Sequence, residues 1–224
     1  MSRGLWLCVL TTTLLALPAA SPLVASPLSF SYTGLFTQDD NIQLFSFAIG
    51  ATAAVTIQTW SFAGGTNAAS TVIPAGGFAP VLSLFDGTGN VLATDKNDNS
   101  GTCGPRNVDP ASGFCWDAYL NPTLSAGKYT VALTEDDNVP IGPTFGDGFS
   151  EQGNGNFTGP LFLGPVGDGK SFILADGEQR TPGWAVDIVG VDTASQIPEP
   201  APAWLCAAGL VVALALRRLT WRRD

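Results

Sequence analysis

The residues best suited to chemistry in this sequence are carboxylate and amide side chains gathered in polar, turn-like stretches. Their oxygen atoms are the ligands that Ca²⁺ prefers. The same residue types are also favoured in solvated turns that bind nothing, and that alternative stays open. If a Ca²⁺ site exists, we expect its ligands among Asp39, Asp40, Asp95, Asn97, Asp98, Asp136 and Asp137.

The run 95–99 deserves a separate test, because its oxygen-bearing side chains alternate as they do at the start of an EF-hand loop. Ser100 stands where that loop needs its turn glycine, and Arg106 stands where it needs a bidentate glutamate. The run is therefore not an EF-hand, and any Ca²⁺ site here is of a looser kind.

Catalytic groups are scarce. The chain has no histidine, which excludes Ser-His-Asp and Cys-His nucleophile systems and histidine-based zinc sites. Carboxylate-only hydrolysis, as in glycosidases, needs two acids about 5–10 Å apart in a cleft. Asp117 and the pair Asp136-Asp137 are the candidates, but any acidic surface offers as much. We predict that the protein is not an enzyme.

Aromatic side chains offer a second kind of binding. Exposed rings can form flat platforms for sugar rings, and packing within or between strands is the alternative use of the same residues. The candidates for such a platform are Trp60, Trp116, Tyr119 and Trp184.

The elements that must position these residues are short strands. Apolar and polar residues alternate over several segments, which Gly, Pro, Asp and Asn residues separate, and no segment of the body shows sustained helical periodicity. This pattern predicts an all-β fold, an antiparallel β-sandwich of jelly-roll type, over residues 26–192. The predicted strands are 42–49, 53–62, 79–85, 91–94, 128–134, 171–174 and 184–191, and 30–36 alternates more loosely.

Charge and cysteine content indicate an exported body. Residues 26–200 carry five Lys or Arg against eighteen Asp or Glu, a net charge of −13 that repels nucleic acid and anionic membrane. Cys103 and Cys115 are the cysteines of this body. In an oxidising compartment such a pair predicts a disulfide; a two-cysteine metal site is the alternative, but no histidine is present to complete it.

The first 25 residues predict a signal peptide. Arg3 precedes an apolar run from Leu5 to Leu17, and small residues follow through Ala25. An uncleaved membrane anchor is the alternative.

The segment after the predicted sandwich has a different composition. We interpret 193–202 as a linker containing Pro198-Glu199-Pro200, followed by a transmembrane helix and basic tail over 203–224. The stretch Ala201–Leu216 has no charge, and its length of roughly 24 Å as a helix is marginal for a permanent span. A buried core helix is the alternative. The cluster that would hold the tail in the cytoplasm is Arg217, Arg218, Arg222 and Arg223.

This order of Pro198-Glu199-Pro200, apolar run and arginines resembles the PEP-CTERM sorting signal of bacteria that make exopolysaccharide. The resemblance implies processing by an exosortase, a membrane-anchored precursor, and a final location at the cell surface or in the extracellular matrix. It makes exopolysaccharide a candidate partner. The alternative function is a Ca²⁺-assisted carbohydrate-binding module.

The body is similar to the bacterial pre-peptidase C-terminal domain, a small accessory β-sandwich. Three stretches carry the similarity: 39–47, 80–93 and 124–131. The stretches 59–67, 147–159 and 183–188 extend it toward a group of PEP-CTERM proteins. The similarity implies a fold and an address, with no activity attached.

Overall fold

The computed structural model describes residues 28–96 and 103–198, and strands dominate this part of the chain. One short helix, α1 (Thr158–Leu163), and two 3-10 turns, Phe145–Asp147 and Gly164–Gly167, interrupt them. The strands in chain order are β1 (Leu28–Leu35), β2 (Gln43–Ile49), β3 (Ala53–Ala54), β4 (Thr56–Thr59), β5 (Gly65–Thr66), β6 (Val72–Ile73), β7 (Pro80–Phe85), β8 (Val91–Lys96), β9 (Tyr119–Leu120), β10 (Thr123–Leu124), β11 (Gly127–Glu135), β12 (Gly183–Val191) and β13 (Thr193–Ile197).

These strands form two main sheets. One has five strands in the order β13-β2-β11-β7-β8, and the other has four in the order β1-β12-β4-β9. The pairs β10-β3 and β5-β6 are small separate ladders. Each pairing between the named strands is antiparallel, which confirms the predicted all-β antiparallel architecture.

The two main sheets share one hydrophobic core. Strand β2 alternates buried and half-buried residues along its whole length, as a strand with one inward face must. Fully burying one such apolar side chain contributes about 1.5–3 kcal/mol. Both sheets supply side chains to this core, which makes the fold sandwich-like; among them are Phe45, Phe47, Leu82, Leu84, Val131 and Leu133 from the larger sheet and Ile57, Val186 and Ile188 from the smaller.

Strand β7 differs, because all six of its residues are buried. Its second face is covered by the long connection that follows β11. Phe149 of that connection packs with Phe85 and Ala132 in a second apolar cluster, and Phe145 contacts Phe85 edge-on at 5.4 Å between ring centroids. The polar, glycine-rich composition of this connection therefore hides a packing role for its phenylalanines.

Two predictions were wrong: a strand at 171–174, and the assignment of 193–197 to a linker. Residues 171–174 do not form a strand; Ile173 makes one isolated bridge to Gln179, and Phe172 has a φ of +54°, which is incompatible with extended backbone.

Residues 193–197 of the predicted linker instead form β13, an edge strand that pairs with β2. Gln43 Nε2 donates to the Ile197 carbonyl at 2.9 Å, and Gln196 Nε2 donates to Gln43 Oε1 at 2.8 Å. The sequence of β13 resembles a linker, because an edge strand with exposed polar side chains has little apolar alternation.

Several predicted segments lie outside the described residues. They are the signal peptide 1–25, Glu199 and Pro200 of the triplet, the helix 203–224 and its four arginines. Pro198 is described and comes directly after β13. Within residues 28–96 and 103–198, we found no helix with the length and apolar character that a membrane crossing requires.

Candidate functional site

The most unusual titratable group is Glu135, the last residue of β11. Its side chain is buried among acids, and its Oε2 atom has no hydrogen-bond partner. Burial raises the pKa of Glu135 well above its ordinary value, and the nearby charges of Asp39, Asp136 and Asp137 raise it further. No sequence pattern singles out Glu135, because an acid at a strand end ordinarily lies in solvent.

Asp39 is fully buried beside this group and connects three segments. The Thr158 N–H donates to Asp39 Oδ2 at 2.9 Å, the Thr158 hydroxyl donates to the same oxygen, and the Phe172 N–H donates to Asp39 Oδ1 at 2.8 Å. Burial raises the pKa of Asp39 in spite of these bonds, which oppose the shift. Its oxygens hold the start of α1 and the loop at Phe172 in place.

Asp40 organises the glycine-rich loop on the same side. Its Oδ2 accepts the N–H groups of Gly153 and Gly155, each at 3.0 Å, and its carbonyl accepts Asn138 Nδ2 at 3.2 Å. The carboxylate thus replaces the backbone partners that an irregular loop lacks.

The predicted Ca²⁺ ligands fall into separate groups. Asp39, Asp40, Asp136 and Asp137 lie in one region, but Asp95 does not join them. The Arg106 guanidinium donates to Asp95 Oδ2 at 2.5 Å, and so does the Tyr119 N–H at 2.6 Å. Asn97 and Asp98 are not among the described residues. In the part of the chain that the structure describes, no three His, Cys, Asp or Glu side chains are grouped to hold a metal ion, so Ca²⁺ stays a prediction.

Asp117, a candidate for carboxylate chemistry, is buried and anchors backbone. Its Oδ1 accepts the Thr59 hydroxyl at 2.8 Å and the Phe62 N–H at 3.1 Å, and its Oδ2 accepts the Ala63 N–H at 2.8 Å. Burial raises the pKa of Asp117 although these hydrogen bonds lower it. Both oxygens serve the fold. The absence of enzymatic activity stays a prediction.

Of the four aromatic platform candidates, Trp184 is buried, and Trp60, Trp116 and Tyr119 are partly exposed. Trp184 is 4% exposed and packs edge-on against Phe45 in the core, with 5.8 Å between ring centroids. The Trp60 Nε1–H donates to Asp187 Oδ2 at 2.8 Å. Asn121 Nδ2 donates to the Tyr119 hydroxyl at 3.1 Å. For Trp184 the alternative of core packing was correct.

Trp116 belongs to a stack of rings. It lies parallel to Phe114, with 4.5 Å between centroids and 4° between planes, and it contacts Phe62 at 5.1 Å. The Arg180 guanidinium lies 4.2 Å from the centroid of the Phe62 ring. Phe114, at 41% exposure, is the most exposed ring of this stack, and Trp116 is partly exposed. The sequence analysis missed Phe114, because a loop phenylalanine carries no periodic signal.

Asp109 holds the loop of this stack together. Its Oδ2 accepts the Arg180 guanidinium at 2.9 Å and the Ser112 hydroxyl at 2.6 Å, while its N–H donates to the Phe114 carbonyl at 2.7 Å. Burial works to raise the pKa of Asp109, but the hydrogen bonds from Ser112 and Arg180 outweigh it and leave the pKa below its ordinary value.

The predicted disulfide is confirmed in the same loop. Cys103 and Cys115 are bonded, with 5.4 Å between their Cα atoms. Cys115 lies between Phe114 and Trp116, so the disulfide constrains the backbone between these two rings.

A cleft of about 540 Å³ lies at the end of β1. Its walls include Leu35, Ile73 and Trp184, and Gly34, Gly77 and Gly183 leave room at its base. No titratable side chain contributes to its described lining, so the cleft has no group for acid–base chemistry.

The fold and these sites together define an acidic, antiparallel, sandwich-like β-protein with a disulfide-closed aromatic loop. Comparison of the chain with protein-family models and with curated proteins gave no match.

Proposed function

We propose that this chain is a non-enzymatic exported protein of an exopolysaccharide-producing bacterium, presented at the cell surface or in the extracellular matrix. An exosortase sorts it through Pro198-Glu199-Pro200. The observation that carries the proposal is the order of this triplet, the uncharged run Ala201–Leu216 and the cluster of four arginines. Its mechanism is delivery and presentation.

The order of charges sets the direction of delivery. Arginines that follow an apolar run stay on the cytoplasmic side, so the residues before the run face outward. The apolar run after Arg3 supplies the export signal in this proposal. The Cys103–Cys115 disulfide supports an oxidising destination, since such bonds persist outside the cytoplasm.

The last strand supports a separable sorting handle. Strand β13 ends at Ile197, and Pro198, which has no N–H to donate, follows at once. Removal of the handle after Ile197 leaves every described strand complete. The proposal also includes a jelly-roll connection of the strands, a cleaved signal peptide and a temporary transmembrane helix over 203–224.

The test is the location of three chains in a host that encodes an exosortase. They are the full chain, a variant that ends at Ile197, and a variant with Pro198→Ala, Glu199→Ala and Pro200→Ala. We expect the full chain to be processed, the triple variant to stay in the membrane as a precursor, and the shortened chain to be released. Equal distribution of all three between membrane, surface and medium contradicts the proposal.

A matched control separates sorting from folding. The chain that ends at Ile197 should melt at the temperature of the full chain, because β13 is intact. A chain that ends at Asp192 lacks β13 and should melt lower, because β2 loses one of its two neighbouring strands, along five residue pairs.

A Ca²⁺-assisted carbohydrate-binding module is the second candidate. The observation behind it is the negative charge that Asp39, Asp136 and Asp137 place around the buried Glu135, whose Oε2 has no hydrogen-bond partner, although the described side chains are not grouped as a set of metal ligands. Ca²⁺ should then raise the melting temperature of the full chain, and Glu135→Gln should reduce the increase. A melting temperature indifferent to Ca²⁺ and to EDTA removes this candidate.

A further inference from the structure

We propose that the outer face of Phe114 is a binding platform on which a pyranose ring of a neutral glycan stacks. The site goes beyond the sorting route proposed above and does not depend on it; it gives the carbohydrate-binding candidate a location, and it needs no Ca²⁺. It lies in the described part of the disulfide-closed loop, and its parts are Phe114, the supporting rings of Trp116 and Phe62, and the Arg180–Asp109 pair beneath them.

The exposed surface of Phe114 has a shape suited to stacking. Phe114 is 41% exposed although one of its faces lies flat on Trp116. Among the described residues, Trp116 is the ring that Phe114 contacts. We infer that the exposed part is the face opposite Trp116, a flat, apolar area of at most one ring that is supported from behind.

The backbone around Phe114 is held in place. A binding surface that is already ordered avoids the entropy cost of ordering on association. The Phe114 carbonyl accepts the Asp109 N–H at 2.7 Å, and the Phe114 N–H donates to the Ser112 hydroxyl at 3.3 Å. The next residue, Cys115, is fixed by its disulfide to Cys103. Hydrogen bonds of the Phe114 backbone and the disulfide of Cys115 thus hold in place the backbone that carries the ring.

The base of the stack is formed by buried residues of the folded body. Phe62 is fully buried, and Arg180, 3% exposed, lies over its ring while paired with Asp109 at 2.9 Å. A cation against an aromatic face is attractive, and burial strengthens the attraction. The stack therefore rests on the folded body rather than on the loop alone.

The chemistry of the surface selects the occupant. An aromatic face carries partial negative charge, which attracts the C–H groups on the apolar face of a sugar ring. A single ring is far smaller than the roughly 1,000 Å² of a stable protein interface. Nucleobases also stack on aromatic rings, but a body with a net charge of −13 repels polyanions. A neutral glycan satisfies both the shape and the charge.

The test is affinity electrophoresis of the full chain in detergent, through gels that contain laminarin, dextran, mannan or hydroxyethyl cellulose. We expect at least one of these neutral polymers to retard the protein. Phe114→Ala should weaken that binding about tenfold, as loss of one stacked ring does, and Phe114→Tyr should retain it, because the tyrosine ring is flat and stacks in the same way.

Phe145→Ala is the matched control. Phe145 is 38% exposed, close to the value for Phe114, but its ring packs edge-on against Phe85 and Phe149. We expect this variant to bind as the unchanged chain does. If Phe114→Ala lowers the melting temperature, Phe114→Leu replaces it, since leucine keeps the apolar contact with Trp116 and removes the flat face.

The proposal is overturned if none of the four polymers retards the unchanged chain, or if the Phe114 variants without a flat ring bind as well as the unchanged chain does. Anionic alginate, run in parallel, should not retard the protein; equal retardation by alginate also overturns the assignment to a neutral glycan. The assay uses purified protein, so a failure here leaves the sorting proposal intact, and a failure of sorting leaves this one intact.

Discussion

Arg180 and Asp109 form an ion pair of 2.9 Å whose side chains are only 3% and 1% exposed. The two residues are 71 positions apart in the chain, so the pair ties the disulfide-closed loop to the segment before β12. Arg180 also lies over the Phe62 ring. A buried charge is tolerated only with a partner, and here each charge supplies the partner of the other.

Removal of one member of this pair should be costly. Arg180→Met leaves the Asp109 carboxylate buried without its counter-charge, and we expect a loss of about 3–5 kcal/mol in the free energy of unfolding. The double variant Asp109→Leu with Arg180→Met should lose less, because no buried unpaired charge remains; Glu178, which also pairs with Arg180 at 3.5 Å, is 46% exposed. Urea unfolding measures both. Arg106→Met, which breaks the more exposed pair with Asp95, should show a smaller loss. A double variant less stable than Arg180→Met contradicts this account.

The disulfide should contribute measurable stability. Cys103→Ser with Cys115→Ser opens a loop with a sequence separation of 12, and the chain-entropy relation gives a loss of about 3 kcal/mol. Unfolding in urea under oxidising conditions tests it. A reducing agent should shift the midpoint of the unchanged chain and leave that of the double variant alone. If the reductant moves neither, the disulfide has no such role.

Glu135 should make stability depend on pH. Its pKa is raised in the folded state from an ordinary value of 4.5, so the folded protein holds this proton more tightly than the unfolded chain does. The stability from this group is full below pH 4.5 and falls as pH rises from there through the raised pKa. Glu135→Gln should remove this fall and raise stability at neutral and alkaline pH.

The measurement is the free energy of unfolding at several pH values from 4.5 upward. The control is Asp168→Asn, which removes the same charge at an exposed carboxylate. Asp39 and Asp117 also have raised pKa values and act in the same direction, so some fall should persist in the Glu135→Gln variant. A profile unchanged by Glu135→Gln would show that this carboxyl does not carry the effect.

Gly34 should tolerate no side chain. It pairs with Trp184 across β1 and β12, and a Cβ atom at position 34 would overlap the indole ring. Gly34→Ala should therefore destabilise the protein by about 1–3 kcal/mol, because either the indole or the strand must shift. Gly146→Ala is the control, since its Cβ would meet only the Thr144 hydroxyl oxygen at 3.8 Å. Thermal unfolding compares the two, and equal melting temperatures contradict the prediction.

Much of the sandwich was predictable because strand alternation is a local signal. The segments predicted as strands at 42–49, 128–134 and 184–191 correspond to β2, β11 and β12 within one or two residues. Strand β13 was missed because its stability comes from pairing with β2, a partner about 150 residues earlier. The predicted strand at 171–174 failed because the Phe172 backbone follows its hydrogen bond to the Asp39 carboxylate rather than its own apolar neighbours.

The candidate sites show the same division. Residue types and spacing were sufficient to predict the cysteine pair and the acidic character of the body, because both depend on composition and on short separations. The most exposed ring of the stack and the buried carboxyl whose Oε2 lacks a hydrogen-bond partner were not predictable in this way. Phe114 and Glu135 acquire their roles from Trp116, Phe62, Asp39 and Arg180, which the fold brings to them.

By itself the sequence determined the strand character of the body, its negative charge and its disulfide. Each of these depends on residue type or on neighbours a few positions away. The tertiary structure alone decided which carboxylates are buried, which aromatic face stays open and where the last strand pairs. The physical reason is that burial and pairing are set by contacts between residues such as Asp109 and Arg180, whose separation in the chain leaves no local pattern.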